Sequence, residues 1–402
     1  MALRAMPRPR TTVTGGATVV RRLSLADFRS YASAELAPEP GLTVVAGANG
    51  AGKTNLLEAI AATIVGRSHR AATDAELVRH GAPFARVRVE LAAETTLELV
   101  LPGAEPPHGV RKRLTVNGVA RRSSALSDVA RVVLFRPEEM LLLVGSPGDR
   151  RRFLDAIVAQ RDRRAAHDLV ELGRIVAQRN ALLRAIRAEE APLDALAFWD
   201  EQLAVVGARI MRARLQVLAE LTERVGPLHD AVASHDERGA GVGLAYVDNL
   251  KEAWPERADP AARIPGDEEL VAAFRGRIAS VRQKEAWNGV SLVGPQRDDL
   301  RASLGGRDVA THASRGQQRT IILAMKLAET DLLGADGPRP VVLLDDVFSE
   351  LDPQRAERLS DLLAGRGQVI VTTADPGTLE GARGRGAAIW RIVDGRLEAE
   401  AA

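Results

Sequence analysis

Residues 47–55 read GANGAGKTN, and few stretches of nine residues restrict a fold so tightly. The pattern is G-x-x-x-x-G-K-[ST] without deviation. Such a loop works only between a buried strand and the start of a helix, and both flanks satisfy that. Leu42-Thr-Val-Val-Ala46 is a short apolar run, and the stretch from Asn55 to about Val65 has the pattern of an amphipathic helix. Gly47, Gly50 and Gly52 open backbone angles closed to other residues, so that the amides of Ala48, Asn49, Ala51 and Asn55 can approach an anion. The helix N-terminus adds partial positive charge. Lys53 supplies a compact cation, and Thr54 a hydroxyl suited to Mg²⁺. Only five of the 55 basic residues are lysine, so a lysine at 53 marks a place where the planar guanidinium of arginine does not serve.

A second motif completes the first. Residues 341–352 read VVLLDDVFSELD. Four apolar residues predict a strand buried on both faces. Asp345 at its end can hold Mg²⁺ through water, and Asp346 is then placed to polarise an attacking water. The two motifs together predict a nucleotide with Mg²⁺ as ligand, with Lys53 and Asp346 as the catalytic pair.

The rest of the chain reads as a discontinuous α/β domain. A strand is expected from Val19 to about Leu25, followed by a turn-rich stretch, SYASAELAPEPG. Arg86–Ala92 alternates with period two, and RLTVNGVARR carries an Asn-Gly turn, so an antiparallel sheet is expected beside the loop. From about Asp149 to Ala233 the apolar spacing is helical: Trp199, Leu203, Val206 and Ile210 recur at three- and four-residue steps. Residues 234–265 are polar and rich in Gly and Pro, and read as loops or a domain edge. After Leu292 the α/β pattern returns. A long helix is expected after His312, a second from Pro353 to Ala364, a strand at Gln368–Thr373 and a terminal hairpin at RIVDGRLE. The division drawn is a leader over 1–18 without stable structure, an α/β head from 19–148 and 290–402, and an inserted helical arm over 149–289.

Composition excludes several classes. There is no cysteine, so disulfides and thiolate metal sites are ruled out, which fits a cytoplasmic protein. No apolar run reaches the roughly 20 residues of a membrane-spanning helix. The net charge is only +2, so a nucleic-acid surface would have to come from charge placement. From Arg150 to Glu190 there are ten arginines against six acidic residues, and Arg111, Lys112 and Arg113 form another cluster. Each could meet phosphates or be an ordinary solvated face. Aromatic residues make up 3% of the chain, too few to suggest base stacking.

A third motif, Ser314-Arg-Gly-Gln-Gln-Arg319, opens the long helix before the aspartate pair. That order resembles the ATP-binding cassette (ABC) ATPases. The resemblance implies that Ser314, Gly316 and Gln317 close on a nucleotide bound by a second copy, making an ATP-dependent homodimer. Ser349-Glu-Leu-Asp352 matches the dimer-contact loop of that family. Between Thr54 and Ser314 lie too many residues for a transporter cassette and too few for the long coiled coils of SMC-type ATPases.

Further blocks narrow the resemblance. LSLADFRSY, GRSHR, FRPEEMLLLVGSPGDRRRFLD, QRNALL and VGPQRDDL stand in the order found in the RecF family of bacterial recombination mediators. Gln296 and Glu139 replace the family's usual His and Asp. The resemblance implies an ABC-ATPase head, made of a parallel P-loop sheet plus an antiparallel β-subdomain, with an inserted mainly helical arm. It implies ATP-dependent binding to duplex DNA at gaps, with single-stranded DNA as a lesser possibility, and RecR, RecO and RecA as partners. Asp346 in place of the usual Glu, with Thr372 and Thr373 where a switch histidine would stand, implies slow hydrolysis. Glu138 is the expected coupling residue, Arg70 an expected phosphate or DNA contact, and Gln296, Arg297, Asp298 and Asp299 are expected to support the site or simply to pack. The competing reading is a P-loop ATPase of the same class that acts on a protein partner instead of DNA.

Overall fold

The computed structural model describes residues 16–250, 263–375, 381–382, 384–393 and 395–400. Of the expected leader, residues 1–15 lie outside these. Ala17 bridges to Arg339, and Thr18 is buried, its hydroxyl accepting from the Arg131 amide at 3.0 Å.

Six strands form the central sheet, in the order β15-β14-β3-β13-β12-β8. They are β3 (Leu42–Ala46), β8 (Val132–Phe135), β12 (Val341–Asp345), β13 (Val369–Thr373), β14 (Ala388–Val393) and β15 (Arg396–Ala399). All neighbours are parallel except the terminal hairpin β14–β15. The residues of β12 and β13 are all buried, as expected for parallel strands covered on both faces. In a parallel sheet every strand ends at the same edge. Here that edge gathers the chain after Ala46, Phe135, Asp345 and Thr373.

One face of this sheet, with Val45, Val132, Val341, Leu343 and Ile370, packs on α1 (Lys53–Val65) and on a second, antiparallel sheet. That sheet runs β2-β1-β4-β5-β6-β7. Its members are β1 (Val20–Phe28), β2 (Tyr31–Leu36), β4 (Phe84–Leu91), β5 (Thr95–Pro102), β6 (Arg113–Val116) and β7 (Val119–Ala120). The Asn117-Gly118 turn closes β6–β7 as expected, both residues having positive φ. The strand β2 corrects the turn-rich expectation for SYASAELAPEPG. Tyr31–Leu36 pairs with β1 from Phe28↔Tyr31 to Leu23↔Leu36. Ala and Ser have little strand propensity, and the hairpin turn is Arg29-Ser30 without glycine, so nothing local announces it.

The other face, with Val44, Val133, Phe135, Leu344 and Val371, packs on three helices. These are α2 (Pro147–Arg161), α4 (Ala197–Val232) and α7 (Arg315–Ala335). Ser146 caps α2, and its capping box with Asp149 precedes Pro147 at the first helical position. A third core forms where α3 (Arg163–Arg187) and α5 (Asp267–Asn288) pack on α4. The 36 residues of α4 span about 54 Å, so one helix reaches from this core to α7. Gly207 permits its close approach to the segment after α5: a Cβ there would stand 3.2 Å from Pro295 Cδ.

The stretch expected as loops over 234–265 holds a strand, β9 (Val242–Val247), which pairs antiparallel with β10 (Asp299–Leu304) and so ties the chain after α4 to the chain after α5. Gly243 within it, and Gly239 and Gly241 just before it, hid it from propensity. Residues 251–262 lie outside the described residues. Two short elements, β11 (Arg307–Asp308) and α6 (Val309–His312), lead into α7, and α8 (Pro353–Leu363) follows β12. Among the described residues, no helix is long and apolar enough to cross a membrane.

Candidate nucleotide site

The 47–55 loop leaves β3 at the carboxyl edge of the sheet and enters α1 at Lys53. The Gly47 amide donates to Thr373 O at 3.2 Å, which anchors the loop to β13. Two turns shape it: the Ala51 amide donates to Ala48 O at 3.1 Å, and the Asn55 amide to Gly52 O at 2.9 Å. Gly50 and Gly52 have φ of 82° and 104°. At Gly52 space is as restrictive as angle: a Cβ would lie 2.7 Å from the Tyr31 hydroxyl and 3.0 Å from Ser30 Oγ. Asn55 Nδ2 donates to that same Ser30 Oγ at 3.0 Å. The overlooked hairpin β1–β2 therefore forms the floor of the loop.

Lys53 is buried, and its ammonium donates to the carbonyls of Gly47 and Ala48 at 2.8 and 3.0 Å. The cation thus lies over the mouth of the loop. Thr54 Oγ1 donates to Asp345 Oδ1 at 3.0 Å, joining loop and aspartate pair across the sheet. Thr372 Oγ1 donates to the same oxygen at 2.7 Å. Thr372 is a functional candidate that no motif marks, standing where a switch histidine is lacking. It is fully buried and accepts from the Asp346 amide at 3.1 Å, so it orients both aspartates.

Asp346 has φ 51°, a left-handed conformation that a non-glycine residue adopts at some cost. The turn aims its carboxyl back toward the loop. Its Oδ1 is buried without a hydrogen-bond partner. Burial raises the acid above the usual aspartate value, Asp345 adds to the rise, and the charge of Lys53 opposes it. A carboxylate with an unused oxygen and an elevated pKa suits the acceptance of a proton from water.

The donor set fits the groups the sequence pointed to. The Thr54 hydroxyl, in the first turn of α1, and the Asp345 carboxylate, at the end of β12, are hard oxygen donors, the kind that takes Mg²⁺ together with phosphate oxygens. The glycine loop and Lys53 fit polyphosphate.

The third motif stands apart from this assembly. Ser314 caps α7, its Oγ accepting from the Gln317 amide at 3.2 Å while the Gln317 side chain accepts from the Ser314 amide at 2.9 Å. Gly316 faces Arg355, whose Nη1 would lie 3.7 Å from a Cβ there. Among the described residues, no hydrogen bond joins Ser314, Gly316 or Gln317 to the 47–55 loop of the same chain. Arg355 itself joins three elements: Thr320 of α7 at 3.1 Å, the α8 cap Asp352 at 2.7 Å and Glu237 at 2.7 Å.

The remaining candidates make contacts of their own. Arg70 lies 3.6 Å from the buried Glu58 on α1, which Arg29 grips at 2.8 and 3.0 Å. Burial works to raise the Glu58 pKa, and the bonds from Arg29 and Ser68 bring it below the ordinary value. Glu138 is exposed, whereas its neighbour Glu139 turns inward toward Lys326. Asp299 holds Arg150 bidentately at 2.7 and 2.8 Å, and Asp298 accepts from Tyr246 and Asn249, so these two serve packing. The arginine-rich stretch is largely paired with carboxylates: Arg150, Arg152, Arg161, Arg163, Arg174 and Arg179 all have one.

Comparison with known proteins agrees with this architecture. The family model described as the RecF/RecN/SMC N terminal domain matches residues 19–392. A DNA replication and repair protein RecF from Streptomyces avermitilis is 40% identical over 375 residues, covering 90% of this chain and 96% of the relative. Its counterpart from Kineococcus radiotolerans is 41% identical, over 89% of this chain and 93% of its own length. The solved structure of the recombination mediator protein RecF-ATP in the RecFOR pathway superposes with a TM-score of 0.83 at 26% identity, covering 98% of this chain and all of the other. The chain belongs to the RecF family.

Proposed function

We propose that this chain is an ATP-switched, DNA-binding recombination mediator with a slow ATPase activity. The observation that carries the reading is the unpartnered carboxylate oxygen of Asp346, set beside Lys53 and the Thr54–Asp345 oxygen pair. Family membership supplies the biological setting.

In this reading residues 19–148 and 290–402 are the head and 149–289 the arm. The amides of Gly47–Asn55 and the ammonium of Lys53 hold the phosphates of ATP. Thr54 and Asp345 would hold Mg²⁺, and Thr372 fixes the Asp345 carboxylate that would meet it. The metal, when bound, neutralises phosphate charge as a Lewis acid. Asp346 orients a water and accepts its proton. Ser314, Gly316 and Gln317 are presented at the exposed start of α7, away from their own loop, as a surface that meets the nucleotide of a second copy would be. ATP therefore drives a homodimer, the dimer grips duplex DNA at gaps, and hydrolysis releases it. RecR, RecO and RecA act with it or downstream.

The test is ATP turnover with and without duplex DNA, using Asp346→Asn as background. Turnover that rises with DNA and vanishes in the variant supports the reading. Turnover indifferent to DNA favours an ATPase that acts on a protein partner.

A further inference from the structure

The hydrolytic site leaves unused a cluster of buried charges on the other side of the sheet edge. Lys326 lies in the middle of α7, with its side chain 4% exposed. Its ammonium is 2.6 Å from Glu329 on the same helix and 3.5 Å from Glu139. The rings of Phe135 and Phe153 flank it, with centroids at 5.6 and 5.7 Å. Arg136 lies 3.5 Å from the other oxygen of Glu139. These four groups, Arg136, Glu139, Lys326 and Glu329, are the charges that face one another here.

Packing does not require them. Ile321, Ile322, Leu323, Ala324, Met325, Leu327 and Ala328 surround Lys326 on α7 and are all fully buried. A buried ion cluster costs desolvation that a methionine would avoid, so its presence calls for another role. The positions suggest one. Glu139 sits on the short turn Pro137–Leu141 directly after β8. Phe135, the last residue of β8, is in register with Leu344, next to Asp345. Ser314, twelve residues before Lys326, is about 18 Å up the same helix. Lys326 therefore touches both the sheet edge that carries the aspartate pair and the helix that presents the partner-facing serine.

The ammonium has two carboxylates to choose between. The nearer is Glu329, on its own helix. The farther is Glu139, and the oxygen that each of the two carboxylates turns to the ammonium is buried. We infer that Lys326 is a positioning residue that couples the nucleotide edge of the sheet to the orientation of α7, by moving between Glu329 and Glu139. The inference deepens the proposed function and rests on its ATP-driven dimer. Paired with Glu329, Lys326 leaves the loop after β8 uncoupled from α7. Paired with Glu139, it locks the two together and fixes Ser314. Burial raises Glu329 to about 7, against the pull of Lys326. Its protonation releases Lys326 to Glu139, so coupling strengthens as pH falls through neutrality.

The experiment is sedimentation of wild type, Glu139→Gln, Glu329→Gln and Lys326→Met with ATP between about pH 6 and pH 8, with ATP affinity measured separately on dilute protein. Wild-type dimerisation should strengthen by about tenfold as pH falls, the size of an ordinary coupling energy. Glu329→Gln should dimerise at pH 8 as wild type does at pH 6. Glu139→Gln, which keeps the side chain's size, should dimerise weakly at every pH with ATP affinity unchanged. Lys326→Met should match it where it folds. A Glu139→Gln protein that follows the wild-type pH profile overturns the inference. A wild type that binds ATP but does not dimerise overturns the proposed function instead.

Discussion

The hydroxyl of Thr54 and Oδ1 of Asp345, 291 residues apart in the chain, meet at 3.0 Å. That bond closes the candidate site, because it brings the glycine loop and the aspartate pair to one point on the sheet edge. If the two oxygens share a metal ion, their losses cannot add. Thr54→Ala and Asp345→Asn should each weaken Mg²⁺-dependent ATP binding, with an interaction energy between them of about 0.5–3 kcal/mol. The double variant should be little worse than either. Titration with and without EDTA checks this, and additive losses would separate the two roles.

Asp346→Asn removes the proton acceptor while keeping the side chain's shape. ATP affinity should stay within about twofold, and turnover should fall by about 10²–10⁴, the usual worth of a positioned base. The elevated acid also sets a direction with pH: wild-type turnover should decline on acidification at a pH above the ordinary aspartate range. Stopped-flow and steady-state assays on one preparation separate binding from chemistry.

Arg179 of α3 is a buried charge that ties together α4, α5 and the segment after α5. Its side chain is fully buried, and it donates to Asp200 at 2.9 Å, to Glu285 at 2.6 Å and to Ser291 at 2.8 Å. Removing one partner strands the others in a low-dielectric core. Glu285→Gln should therefore cost about 3–5 kcal/mol in urea unfolding. ATP affinity at the far site should not change.

Asp298 is nearly fully buried beside Tyr246, and burial raises it to about 7. A carboxyl that binds its proton more tightly when folded stabilises the fold below its unfolded pKa. That contribution is lost as pH rises toward 7. The melting temperature of Asp298→Asn should accordingly fall less than that of wild type between about pH 4 and pH 7. Parallel melting curves would refute the assignment of this proton to Asp298.

What was legible in the sequence follows from how local each signal is. The Gly47–Asn55 loop, the buried run Val341–Leu344 and the alternation over Arg86–Ala92 each carry their own geometry, and the elements stand where they were expected. The strands Tyr31–Leu36 and Val242–Val247 take partners 3–13 and 52–62 residues away, mix Ala, Ser and Gly among their strand formers, and gave no local sign. Charges misled in the same way. Glu58, Lys326 and Arg179 look like solvated helix positions until tertiary partners bury them. Thr372 is chemically unremarkable by itself and gains its role only from the Asp345 oxygen beside it. Glu138 and Glu139 are equivalent as sequence, and only the turn after β8 decides which one points inward.

The most direct test of the account is binding to a gapped duplex with ATP and with ADP, at about 50 mM and about 200 mM salt. The account predicts binding with ATP only, weakening steeply with salt as phosphate contacts release counterions. Equal binding in both nucleotides would contradict it, because the loop and aspartate pair would then be driving something other than a grip on DNA.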